Sequence, residues 1–596
     1  MSANATAALT ALMTSLTALM TPLTALMTPL LSLMIVPVAA AAIFALKSWR
    51  VDRWALMAVS LFHLAATIAL WPSASGFLPA PAGALFGLDD LGYIFLLVLS
   101  VLFTGSSLYN TFYIRHMRES GHYGRLYAPF MLLFLSSMTA VVLSRHLGLM
   151  WVFIEATTLA SAPLIYHAGD RSSLEALWKY LFICSIGIAL AFIGVIAMIA
   201  ASREIPGAGL YIDTLKNNSA GLIPLWTGIA LAFALIGYGT KTGLAPMHTW
   251  LPDAHSQAPS PASALFSGAL LNTAFLAVLR FVQITSGTSA ARFASGVMLT
   301  LGLVSLFTAA AFIYRVPSFK RKLAYSSIEN MGIMAFGIGL GGAALYAALL
   351  HAVCHSLAKH AMFLNAGNVL RAFGTSDVGR VRGVLGKIPK TARLLALCTF
   401  LLVGFPPSGI FISKFMIMKT MVGAGRWFLF SAFSALVIVA AYSLIKAVAE
   451  MNFQEVDGGQ PDERIQYNGT HGATQGAHGG YGAGARGKGA HGAGMQGAGA
   501  QGAGTHGAGA QGAGTHGMGT HGMGAQGAGT HGMDIRGAGA SVAQREPLAT
   551  VLAQTVFIIA VIVLGLHIPE GFQRILQRAA EALSAAGAGI GVGAGR

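Results

Sequence analysis

The chain is 596 residues long, 55% hydrophobic and only 10% charged, a profile that excludes an ordinary soluble multidomain protein. Its formal charge of +16 does not mark a nucleic-acid binder, because the basic residues form short clusters between apolar stretches rather than one stripe. Cys184, Cys354 and Cys398 all lie in apolar segments without CxxC spacing. That argues against a disulfide framework, an iron–sulfur cluster or structural zinc, so any redox chemistry belongs to a partner.

In chain order, residues 1–30 contain three seven-residue units, TALMTSL, TALMTPL and TALMTPL. They lack a basic n-region and a clear cleavage site, and read as an extension of the first helix rather than a signal peptide. About fourteen apolar stretches follow, each near the roughly 20 residues needed to cross a 30 Å hydrocarbon core. They centre on 31–46, 54–71, 93–109, 127–143, 149–166, 177–200, 222–238, 262–282, 293–313, 324–340, 344–369, 392–418, 427–448 and 548–566. The fold class is therefore an all-α polytopic membrane protein. Three spans occupy 31–126, one five-helix set 127–282, a second such set 293–448, and a last span with an amphipathic tail 548–596. The tail, 571–586, reads as a short helix at the membrane surface.

Between the last two spans, residues 454–545 form a Gly/Ala/His-rich insertion with units such as GAGTH and GAGAQ. Glycine at that density cannot build a packed core, so disorder is expected. Its histidines (His471, His478, His491, His506, His516, His521 and His531) invite a soft divalent metal, but a flexible insertion with incidental affinity is the better reading. No metal or cofactor is expected.

The loops check the span count. Lys and Arg gather after the first, third, fifth, ninth and eleventh spans, as in Arg115 and Arg118, Arg315 to Lys322, and Arg371 to Arg393; Arg145, Arg203, Lys216 and Arg292 are the main exceptions. By the positive-inside rule these odd loops are cytoplasmic and both termini face the other side, in a cell inner membrane.

Ionisable residues inside spans cost at least roughly 2.5–3.5 kcal/mol and point to function. Glu155 lies mid-span in WVFIEATTLAS, and Glu329 lies in AYSSIENMGI. Lys241 falls in GYGTKTGLAPMHTWLPDA and Lys414 in GFPPSGIFISKF, both segments broken by Gly and Pro. His351, His355 and Lys359 stand at i, i+4 and i+8 on one helix face, with His360 just off it. A low-dielectric site disfavours a charged lysine and a nearby carboxylate favours it, so moving one switches the other. Histidine accepts on one nitrogen and donates from the other, and broken helices free backbone groups to line a hydrated cavity. A lone lysine or arginine near a span end more often snorkels to the interface, as expected for Lys179 and Arg280. Three titratable groups on one apolar face are harder to explain that way. The broken, lysine-bearing helix recurs five spans later, the pattern of a transporter built from repeated halves.

Taken together, WVFIEATTLAS, GTKTGLAPMHTWLPDAH, KRKLAYSSIENMGI, HAVCHSLAKHAMFL and GFPPSGIFISKF resemble the antiporter-like membrane subunits of respiratory complex I, Mrp antiporters and group 4 hydrogenases. The resemblance runs over about residues 30–450, and LEALWKYLFICSIGIALA is most like the hydrogenase-4 component F type. It implies two inverted five-helix repeats with discontinuous helices, and proton transfer coupled to redox chemistry in other membrane subunits and a cytoplasmic peripheral arm. It also implies Glu155 as the carboxylate partner of Lys241, His351, His355 and Lys359 as a central axis, and Lys414 as the exit. Two departures stand out. Ser267 and Asn272 occupy the region of the eighth span where the family usually has Lys or His, and many hydrogenase-type relatives carry Glu in place of Lys414. The alternative reading is a cation/proton antiporter subunit of the Mrp kind. A catalytic or quinone-reactive subunit would need a cofactor motif, which the sequence lacks; a mere scaffold would not need the intact ladder.

Overall fold

The computed structural model describes residues 29–43, 45, 49–73, 76, 77, 83–119, 124, 126–454 and 546–584. Most of the N-terminal repeat and nearly all of the Gly/Ala/His-rich insertion lie outside them. The described residues are helical, with isolated bridges but no β-strand among them. Pro29–Ile43 (α1) is followed by α2 (Trp49–Ala69), α3 (Asp90–Glu119), α4 (Tyr127–Leu143), α5 (Leu147–Ile165), α6 (Arg171–Ala201), the short α7 (Ile212–Asn217) and α8 (Pro224–Lys241). Next come α9 (Trp250–Gln257), α10 (Ser260–Leu265), a π-helical turn Phe266–Leu270, α11 (Leu271–Thr285), α12 (Ala290–Ile313), α13 (Phe319–Leu340) and α14 (Ala343–Phe373). The short α15 (Val384–Lys387), α16 (Pro389–Val403), α17 (Gly409–Gly423), α18 (Trp427–Phe453), α19 (Leu552–Leu566) and α20 (Glu570–Ser584) complete the set.

Among the described residues, six helices are long and apolar enough to cross a membrane: Asp90–Glu119, Leu147–Ala168, Arg171–Ala201, Ser260–Thr285, Ala290–Ile313 and Trp427–Phe453. Their outward stripes are large and apolar, as on α6, where Trp178, Phe182, Ile186, Phe192, Ile196 and Ile199 are exposed. A bilayer rather than water suits such a face.

Helix ends follow local chemistry. Asp170 and Ser173 form a reciprocal capping box at the start of α6, and Gly374 closes α14 in the left-handed conformation. Glu546, which follows the insertion, accepts from the backbone N–H of Lys390 (2.7 Å) and Thr391 (2.9 Å). It thereby caps α16 from across the sequence, where the helix dipole favours a carboxylate.

Two helix pairs touch at backbone distance. A Cβ on Gly237 of α8 would lie 2.4 Å from the Ala191 nitrogen and 2.5 Å from the Gly187 oxygen of α6. A Cβ on Gly302 of α12 would lie 2.7 Å from the Phe336 nitrogen of α13. Small residues permit this approach, which replaces hydrophobic driving force by van der Waals contact inside a membrane. The axis of the bundle is α14, packed against α3, α10, α13, α16, α17, α19 and α20, with residues 347–369 all buried.

Two sequence expectations are corrected. Arg280 does not snorkel. It is 1% exposed and grips Asp89 in a bidentate pair (2.6 and 2.7 Å), while Arg145 meets both Asp89 (3.2 Å) and Asp213. Burial by itself would raise the Asp89 carboxyl, but the Arg280 and Arg145 guanidiniums and the Gly92 N–H hold it well below the usual carboxylate range. Likewise α20 does not rest its apolar face on lipid. Phe572, Ile575, Leu576, Ala579 and Leu583 are buried on α3, α11 and α14, and Arg578 pairs with Asp90 at 2.8 Å. By contrast Lys179 is about half exposed and paired with Glu175 (2.6 Å) and Asp253 (3.0 Å).

Candidate functional site

The sequence-selected residues fall into three settings. In the first, α8 ends at Lys241: Gly243 takes the left-handed conformation at φ +74° and Pro246 has no N–H to continue the helix. The break is held by Trp250 Nε1, which donates to the Thr240 carbonyl (2.9 Å), and by the Ala245 N–H, which donates to Ser305 Oγ (2.9 Å). Lys241 is fully buried. Its ammonium donates to Thr158 Oγ1 of α5 (2.8 Å) and to the Tyr180 hydroxyl of α6 (2.6 Å). Glu155 is half-buried and meets this group only through Thr158, whose hydroxyl lies 3.4 Å from Glu155 Oε2. Thr158 and Tyr180 were not singled out from sequence. The signal for the first was a hydroxyl one helical turn after an intramembrane carboxylate.

In the second setting, His351, His355, Lys359 and His360 of α14 are all fully buried. The His351 and His355 rings are parallel within 1° with centroids 6.1 Å apart. His351 Nε2 meets Asn330 Oδ1 (3.0 Å) and Nδ1 meets Ser413 Oγ (2.8 Å). Asn330 Nδ2 donates to the Ser326 carbonyl (2.6 Å), which orients its oxygen toward the ring. Ser413 also reaches the Ile410 carbonyl at 2.9 Å. By rotating, its hydroxyl donates to His351 when the ring is neutral, or to Ile410 when Nδ1 carries a proton, so the site accommodates both forms. Neither ring nitrogen of His355 has a hydrogen-bond partner, which in a fully buried site calls for water. Lys359 donates to the Leu323 carbonyl (2.7 Å). His360 points away to Ser106 of α3 (3.0 Å), so it stands apart from the ladder.

The third setting is the second break, between α16 and α17. Gly404, at φ +101°, closes α16 beside Lys414, and a Cβ there would meet Lys414 Cδ at 3.3 Å. Lys414 Nζ lies 3.6 Å from Glu329 Oε1, both side chains being less than a tenth exposed, and donates to the Val403 carbonyl (3.0 Å). Ser326 donates to the other Glu329 oxygen (3.3 Å). The two lysines thus sit on opposite sides of their breaks: Lys241 ends the first half-helix, and Lys414 lies inside the second.

The eighth-span gap is smaller than the sequence implied. Ser267, in the π-helical turn, shares a hydrogen bond with Ser327 of α13 (2.7 Å). Ser327 and Lys359 both reach the same Leu323 carbonyl (3.0 and 2.7 Å). Asn272 donates to Ser356 of α14. Hydroxyls and an amide therefore occupy the region where a titratable group was expected, and they touch the surroundings of Lys359.

Residues 144–439 match the NADH:quinone oxidoreductase/Mrp antiporter transmembrane family. The chain is 34% identical over 430 residues to the hydrogenase-4 component F homolog of Methylacidiphilum infernorum, covering 71% of this chain and 89% of that protein. Its fold is shared with a chain of the Mrp complex from Dietzia sp. (TM-score 0.70, 20% identity, 93% of this chain and 97% of that one). It is shared also with a chain of respiratory complex I from Thermus thermophilus (TM-score 0.62, 23% identity, 72% and 90%).

Proposed function

The chain belongs to the family of proton-translocating antiporter-like membrane subunits of complex I, Mrp antiporters and group 4 hydrogenases, and on that premise we propose that it moves protons in a redox-driven complex of the membrane-bound hydrogenase or NADH:quinone oxidoreductase type. The path runs from Glu155 and Lys241 along His351, His355 and Lys359 to Lys414 and Glu329. The observation that carries this reading is the fully buried ladder on α14, whose middle member, His355, has both ring nitrogens free to take water. Ionisable side chains buried inside membrane spans are a sign of function.

In this reading about fourteen spans form two inverted five-helix repeats, 127–282 and 293–448, each with one broken, lysine-bearing helix. Three spans precede them at 31–126, and a span with its tail follows at 548–596. The chain sits in the cell inner membrane with both termini on the non-cytoplasmic side. Its partners are further membrane subunits and a peripheral arm that holds the redox centres. The likeness of fold to a chain of the Mrp complex supports a second reading, a cation/proton antiporter subunit, which differs in requiring sodium or potassium.

The test is proton uptake by membrane vesicles bearing the whole complex. Lys241→Ala and Lys359→Ala should each abolish redox-driven uptake while the complex still assembles. Undiminished pumping in either variant would overturn the path. Uptake that needs no redox substrate but is driven by an imposed sodium gradient would replace the first reading by the second.

A further inference from the structure

Lys241 and Glu155 do not touch, and what separates them is one side chain. Thr158 Oγ1 accepts from Lys241 Nζ at 2.8 Å and faces Glu155 Oε2 at 3.4 Å. Thr158 is buried and Lys241 fully so, whereas Glu155 is half-exposed. The hydroxyl thus stands between a lysine sealed in protein and a carboxylate that is only partly buried.

Lys241 has a second hydroxyl partner, Tyr180, and what lies behind each decides between them. Tyr180 shares its hydrogen bond with Ser161. Ser161 in turn reaches only the backbone carbonyls of Thr157 (2.7 Å) and Thr158 (3.1 Å). Carbonyl oxygens of that kind take no proton, and the other side-chain hydroxyl that Tyr180 reaches is Thr158 itself, so this branch leads back to the same hydroxyl. The Thr158 branch ends on a carboxylate, which does.

We propose that the Thr158 hydroxyl is the proton bridge between Lys241 and Glu155, a proposal that rests on the path described above. In the step that discharges Lys241, the reverse of its loading from Glu155, the Lys241 N–H bond breaks as its proton passes to Thr158 Oγ1. The hydroxyl's own O–H bond breaks as that proton passes to the Glu155 carboxylate. Lysine is left as the neutral amine, glutamate as the neutral acid and threonine unchanged, and no electrons are transferred. Rotation of the hydroxyl resets the bridge. The first contact is already within the roughly 2.6–3.2 Å needed for transfer, and the second is just outside it. A small swing of the half-exposed Glu155 closes the gap, so the bridge conducts in one position of the carboxylate and not in the other.

The test compares Thr158→Val, which keeps shape and loses the hydroxyl, with Thr158→Ser, which keeps the hydroxyl. Redox-driven proton uptake is measured in vesicles carrying the assembled complex, with Lys241→Ala alongside. Thr158→Val should lower uptake on the order of a hundredfold, the scale of a lost general acid–base group, and Thr158→Ser should stay within about twofold of wild type. Should the valine variant fail to assemble, Thr158→Cys, similar in size and a poor acceptor, carries the same expectation of a large loss. If Lys241→Ala abolishes uptake while the hydroxyl-free variants pump normally, the bridge is overturned and the path stands. A serine variant as defective as the valine one also overturns it, since packing rather than the hydroxyl would then be what matters. If Lys241→Ala itself pumps normally, the path fails, independently of Thr158.

Discussion

Lys241 and Lys414 are both buried lysines at a helix break, yet they are compensated in different ways. Lys414 faces a carboxylate at 3.6 Å and one backbone carbonyl. Lys241 faces two hydroxyls, with its carboxylate one side chain further off. A buried ion pair holds its two charges by their mutual attraction, and removing either member strands the other. A buried ammonium held by neutral dipoles depends on each hydrogen bond being made, and its charge is matched only when Glu155 approaches. The first lysine is therefore placed to respond to a movement at the rim of the bundle, and the second to one within it.

The largest effect that would break this contrast is at Glu329. Glu329→Gln leaves Lys414 buried opposite an amide and should lower stability by about 3–5 kcal/mol, read as apparent unfolding in detergent. A double-mutant cycle with Lys414→Met should show strong coupling, whereas the Glu155/Lys241 cycle should give less than about 1 kcal/mol. Equal coupling at the two sites would remove the distinction. Next in size, Tyr180→Phe takes one acceptor from the Lys241 ammonium and should destabilise by about 1.5–3 kcal/mol; a neutral result would mean that water already serves Lys241.

The smallest expected effect is one of pH. Asp89, outside the spans, is an ion-paired reference whose carboxyl is held far below its ordinary value by Arg280 and Arg145 against the opposing influence of burial. A depressed folded value means that its stabilisation is complete above the unfolded value of about 3.9 and is lost only as pH falls through the folded one. The stability difference between wild type and Asp89→Asn should therefore stay flat from pH 8 to about pH 5 and shrink only below about pH 4. A slope near neutrality would show that the network is not ionised as drawn.

Much of this was legible along the chain because the signals are local. Span-length apolar runs, Gly and Pro at the two breaks, and His351, His355 and Lys359 at one-turn spacing all follow from the helix period and from what hydrocarbon tolerates. Partners were not legible, because they come from other elements. Hydropathy placed Arg280 near a span end but said nothing of Asp89, 191 residues away. The helical period placed α20's apolar face correctly but did not say that α3, α11 and α14 would cover it. It placed Glu155 and Lys241 on two helices without saying that the Thr158 hydroxyl stands between them. What the sequence determined by itself was which ionisable groups lie within apolar, span-length stretches. Only the tertiary structure decided which of them meet, because that depends on side-chain geometry between helices brought together at glycines such as Gly187 and Gly237.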